Sequence, residues 1–89
     1  MPEISLKVDN DVGLHARPAA LFVQTAARFK DATVEVQNGT ARCDAKSILQ
    51  LLTLGVGPGT TITVRAEGGQ AEEALDALRT LVEGDFAEG

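Results

Sequence analysis

Hydrophobic and polar positions change period repeatedly along this chain, and each change marks an element. In "ISLKV", Ile4, Leu6 and Val8 alternate with Ser5 and Lys7, the period-two pattern of a half-buried strand. A polar turn, "DNDVG", follows. From Ala16 the period lengthens, and Ala19, Phe22, Val23 and Ala26 form one stripe of an amphipathic helix running to about Phe29. Pro18 falls in its first turn, where a missing N–H costs nothing. "ATVEVQNGTARC" predicts a hairpin, with Val34 and Val36 inward, Asn38-Gly39 at a type I′ turn, and Ala41 and Cys43 on the return strand. "AKSILQLLTLG" predicts a short helix closing near Gly55, and Gly57 to Gly59 a turn. "TITVRAE" alternates again, with Ile62, Val64 and Ala66 on one face. After Gly68-Gly69, a last helix sets Ala71, Ala74, Leu75, Leu78, Leu81 and Val82 opposite Glu72, Glu73 and Asp76. The tail "GDFAEG" is expected to fray.

The order is thus β-α-β-β-α-β-α. Each strand has a polar face, carrying Lys7, Glu35, Arg42 and Arg65, which predicts an α+β two-layer sandwich with helices on one side of the sheet and water on the other. With 89 residues, one domain covering 1–89 is expected. Composition narrows the function. The chain has no Trp or Tyr and only three Phe, so aliphatic side chains must fill the core. A net charge of -5 disfavours nucleic acid, which needs a basic face. One cysteine, Cys43, cannot pair within the chain and fits a reducing compartment. No secretory signal opens the sequence and no apolar run is long enough to span a membrane, so a cytoplasmic location is expected.

The lone histidine lies in "GLHARPAALFV", directly before the first helix. Amides at a helix start have no intrahelical acceptor and carry the positive end of the dipole, a ready anion site. An imidazole at the cap can hold a phosphoryl group over them, with the Arg17 guanidinium adding a fork of donors. Phosphoryl transfer asks mainly for positioning and charge neutralisation. From spacing alone, a second reading stands equally: His15 merely flanks or caps a helix.

That stretch closely resembles the active-site signature of HPr, the family of histidine-containing phosphocarriers of the bacterial phosphoenolpyruvate:sugar phosphotransferase system. The element order resembles the family's open-faced β-sandwich, with a four-stranded, mainly antiparallel sheet. A second motif, "AKSILQLLTLG", resembles the family's regulatory serine and the helix after it. The resemblance implies that His15 accepts a phosphoryl group on its δ nitrogen from phosphorylated enzyme I and passes it to sugar-specific IIA proteins. Arg17 and the amides of Ala16 and Arg17 would stabilise the group, and Pro18 would fix the turn into the helix. No metal or organic cofactor is implied. The protein would be a carrier, expected to act as a monomer, rather than an enzyme. One position departs from the family, which often has a polar side chain where Val12 stands, and the backbone would then have to arrange the loop.

Ser47 with Gln50 has the S-x-x-Q form of a capping box, so a structural role is sufficient to explain it. The resemblance adds regulatory phosphorylation of Ser47 by an ATP-dependent HPr kinase/phosphorylase, at a helix start and beside Lys46. Ile48, Leu49, Leu51, Leu52 and Leu54 are too many apolar residues for one buried stripe. Some should be exposed and mark a partner site. By resemblance, Ala20, Ile48, Leu49 and Leu52 form the docking surface for enzyme I and IIA proteins. The alternative is that all pack inward. A histidine phosphatase or mutase would need further His and Arg residues, and an RNA-binding sheet would need exposed aromatics. A purely regulatory relative would lack the histidine. A carrier of a specialised, nitrogen-related phosphotransferase branch remains compatible with the sequence.

Overall fold

The computed structural model describes residues 2–86. Its strands are β1 (Glu3–Val8), β2 (Thr33–Asn38), β3 (Ala41–Asp44) and β4 (Thr60–Glu67), and its helices α1 (Ala16–Ala27), α2 (Ile48–Thr53) and α3 (Ala71–Glu83). They follow the predicted β-α-β-β-α-β-α order. The strands form one sheet in the order β1-β4-β2-β3, antiparallel throughout. β1 and β2 therefore point the same way with β4 between them, and β3 and β4 do the same around β2. Each helical crossover, through α1 or α2, skips one strand.

Register turns the period-two pattern into two faces. Ile4, Val64, Val36 and Cys43 lie in one cross-sheet row, and Leu6 pairs with Ile62 beside it. Leu6, Ile62, Val64 and Val36 are buried under the helices. The opposite face carries the row Glu3, Arg65, Glu35 and Asp44. Arg65 Nε donates to Glu3 Oε1 at 2.9 Å, and its Nη1 lies 3.8 Å from Glu35 Oε1. The helix layer rests on the apolar face, with α3 against β1 and β4, and α1 against both α3 and α2. Phe22 of α1, Leu51 of α2 and Leu78 of α3 are fully enclosed.

Three local expectations are revised. The hairpin turn is centred on Gly39-Thr40, because Asn38 pairs with Ala41. Only Gly39 of the two has positive φ, at 63°, the pattern of a type II′ rather than a type I′ turn. This register sets Cys43 opposite Val36 and lets Ala45 N donate to Val34 O at 2.9 Å, so Cys43 and Ala45 are both buried and Ala41 is left exposed at the tip. The first helix ends at Ala27, and its last turn tightens into i→i−3 bonds, from Arg28 N to Thr25 O and Phe29 N to Ala26 O. The third revision concerns the tail. Asp85 N donates to Val82 O and Phe86 N to Leu81 O, closing α3 with a Schellman motif that buries the Phe86 ring. Asp85 holds the left-handed position, at φ 58°, where glycine is usual. The rest of the tail lies outside the described residues.

Candidate functional site

His15 is the N-cap of α1, in extended conformation (φ -107°, ψ 174°), and its side chain makes no capping hydrogen bond. The first i→i−4 bond runs from Ala19 N to His15 O at 2.9 Å. Ala16 and Arg17 thus occupy the first helical turn ahead of it, with Pro18 third, where its missing N–H forfeits no intrahelical bond. His15, Ala16 and Arg17 are exposed and Pro18 is half-buried. No acidic side chain lies in the first turn, so nothing there opposes an anion. Below the site, Leu14 and Ala19 are buried at the positions that flank a helix start as a hydrophobic staple.

The loop leading to His15 is held from two sides. Gly13 adopts φ +65° against the chain that leaves α2, and a Cβ there would collide with Val56 O and lie 2.8 Å from Gly57 Cα. Leu14 N donates to Val56 O at 2.9 Å. Within the loop, Asn10 Nδ2 donates to Gly13 O at 2.9 Å. Val12 is 53% exposed, and its apolar side chain adds no hydrogen bond to this network. Asn10 is thus a side chain that ties the loop to Gly13, one that the sequence reading missed inside a polar turn. Its one signal was the spacing of an Asn three residues before a glycine that needs positive φ.

Ser47 is the N-cap of α2, and its Oγ accepts from Gln50 N at 3.3 Å. Only half of the expected capping box forms. Gln50 Oε1 accepts from Asp44 N at 3.0 Å, while Ser47 N donates to Asp44 O at 3.1 Å. Lys46 does not turn toward Ser47. Its Nζ donates to Phe29 O at 2.8 Å and Ala32 O at 2.6 Å, satisfying carbonyls past the end of α1. Ser47 caps the end of α2 opposite the Val56 contact, about 9 Å along a six-residue helix.

Between these two caps, α2 buries only Leu51 fully. Ile48, Leu49 and Leu52 are 39%, 72% and 40% exposed, and Ala20 on the adjoining α1 is half-buried. The structure thus leaves open to solvent the three α2 residues expected at a docking surface. Concavities of the surface lie elsewhere. Two, of about 530 and 540 Å³, share Pro2, Glu72 and Glu73 at the β1–α3 edge, away from the helix start at His15. An exposed imidazole at an anion-favouring helix start, on a surface that also exposes apolar residues of α2, suits exchange with another protein better than enclosure of a small substrate. Among the described residues, no helix is long and apolar enough to cross a membrane.

Residues 2–84 match the family model for the PTS HPr component phosphorylation site. Phosphocarrier protein HPr of Pseudomonas aeruginosa strain PAO1 is 39% identical over 89 residues, covering 100% of this chain and 99% of that protein. A crystal structure of HPr from Thermoanaerobacter tengcongensis superposes with a TM-score of 0.95 at 44% identity, covering 100% of this chain and 99% of that one. A structure described as an HPr dimer from the same organism gives a TM-score of 0.78, also at 44% identity, over 99% of this chain and 100% of that one.

Proposed function

The chain belongs to the HPr family of phosphocarrier proteins of the phosphotransferase system, and on that premise we propose that His15 is the residue that carries the phosphoryl group. Phospho-enzyme I is the donor and sugar-specific IIA proteins are the acceptors. The group is held on the δ nitrogen, the site that the family resemblance implies. One observation carries this reading: an exposed imidazole stands at the N-cap of α1 with no capping bond of its own. The amides of Ala16 and Arg17 and the Arg17 guanidinium stabilise the phosphoryl oxygens. Pro18 fixes the turn into the helix. No cofactor takes part, and the covalent intermediate makes the protein a carrier, not an enzyme.

Ala20, Ile48, Leu49 and Leu52 form the docking surface in this proposal. The exposure of the three α2 side chains supports it. Contacts of this kind are small and short-lived, as a carrier that must leave each partner requires. Ser47 is the proposed regulatory site, modified by an HPr kinase/phosphorylase. A phosphoryl group on its Oγ would sit at the start of α2. The protein works as a single-domain cytoplasmic monomer over residues 1–89.

The decisive experiment treats the purified protein with enzyme I and phosphoenolpyruvate, beside His15→Ala, and reads intact mass. One acid-labile phosphoryl group on the native protein and none on the variant is expected. An equal gain by His15→Ala would remove His15 from the role. Incubation with ATP and the kinase tests Ser47 separately, through an acid-stable group absent from Ser47→Ala.

A further inference from the structure

We infer that Asn10 is a positioning residue for His15, its amide holding the turn from which the imidazole is aimed. Asn10 is only 8% exposed, unlike its neighbours Asp9, Asp11 and Val12, although it stands in a loop of polar composition. Its Nδ2 donates to Gly13 O at 2.9 Å, and Gly13 N returns a longer bond of 3.4 Å to Asn10 O. The residue therefore closes the loop across its own width, onto Gly13, which stands two positions before the N-cap.

The other half of the amide has no counterpart. Asn10 Oδ1 is buried without a hydrogen-bond partner among the described residues. A buried acceptor left unpaired opposes folding, so stability alone is a poor reason for an amide here. What the amide does achieve is geometric. Gly13 must hold positive φ against Val56 and Gly57, and the next residue, Leu14, is fixed by its bond to Val56 O. With the imidazole making no capping bond, its direction follows from the backbone that delivers it. Asn10 ties this backbone to itself through Gly13 O, where Val12 has no side-chain hydrogen-bonding group.

The inference rests on the phosphocarrier reading for its kinetic arm only. Asn10→Ala and Asn10→Asp are compared with the native protein in three measurements. These are the NMR signals of the His15 ring at one fixed pH, thermal melting, and kcat and KM as phosphoryl acceptor from enzyme I with phosphoenolpyruvate. Asp keeps the size of the side chain, but its carboxylate offers Gly13 O no donor. The His15 ring signals are expected to shift in both variants while amide signals of β4 stay in place. The acceptor kcat should fall about tenfold with KM unchanged, as misplacement of a reacting group requires. Unmoved ring signals and an unchanged kcat in folded Asn10→Asp would overturn the inference, even with lowered melting, since Asn10 would then serve the fold alone. Unfolding of both variants would overturn it for the same reason. If the native protein accepts no phosphoryl group, the phosphocarrier reading fails while the ring signals still decide the role of Asn10.

Discussion

Two single residues hold chemistry that the rest of the molecule constrains. Burial, and next the carboxylates of Asp44 and Glu35, push the Cys43 thiol from its ordinary 9.0 up to about 11. The folded chain thus keeps a thiol proton that the unfolded chain has lost, and unfolding releases it between those two values. Stability contributed by Cys43 is level below pH 9.0 and falls as the pH rises toward about 11. Urea midpoints at pH 8 and pH 10.5 should therefore separate more for the native protein than for Cys43→Ala. At neutral pH the thiol should resist alkylation until the protein is unfolded. Asp85 presents the opposite case, an exposed side chain on a backbone that favours glycine. Asp85→Gly keeps the Schellman bonds and removes the left-handed penalty, so it should stabilise by about 0.5–1 kcal/mol in chemical denaturation. Phe86, also at φ 58°, cannot be exchanged in the same way because its ring is buried.

At the scale of elements, α2 divides its leucines between two tasks. Leu51→Ala should cost about 2–4 kcal/mol, since it empties a fully enclosed site. Leu49→Asp should change stability by no more than about 0.5 kcal/mol. On the docking proposal it should raise KM as an acceptor from enzyme I, and an unchanged KM would take Leu49 out of that surface. The excess of apolar residues in "ILQLLTL" was readable before the structure, but which one faces the core was not. The packing of α2 against α1 and β3 singles out Leu51. Strands were legible because one face is apolar and the period is two, as with Ile62, Val64 and Ala66. The hairpin turn was misplaced by one residue because Asn-Gly is a strong local signal and the burial of Cys43 and Ala45 is not local. The helix start at His15 was legible from Pro18 and the change of period. Asn10 and Phe86 were not, because each lies just past the end of a periodic run, Asn10 in the polar turn after β1 and Phe86 beyond the end of α3.

Across the whole molecule, charge is arranged as well as abundant. The solvent face of the sheet places Arg65 between Glu3 and Glu35, with Asp44 next in the row. Arg65→Glu would oppose like charges on both sides and should destabilise by about 1–2 kcal/mol. Much of that loss should return in about 1 M salt, which separates repulsion from lost packing. The strand order β1-β4-β2-β3 also governs how the protein can be made. β1 emerges first from a ribosome, yet among the described residues it pairs with β4 alone, the last of the four strands synthesised. The β2–β3 hairpin is the one strand pair that can close early. At about 5–20 residues per second, β1 waits several seconds for its partner. A stalled or truncated message ending before Thr60 would leave the apolar side of β1 and of the hairpin uncompleted, a natural target for chaperones and proteases rather than a half-working carrier.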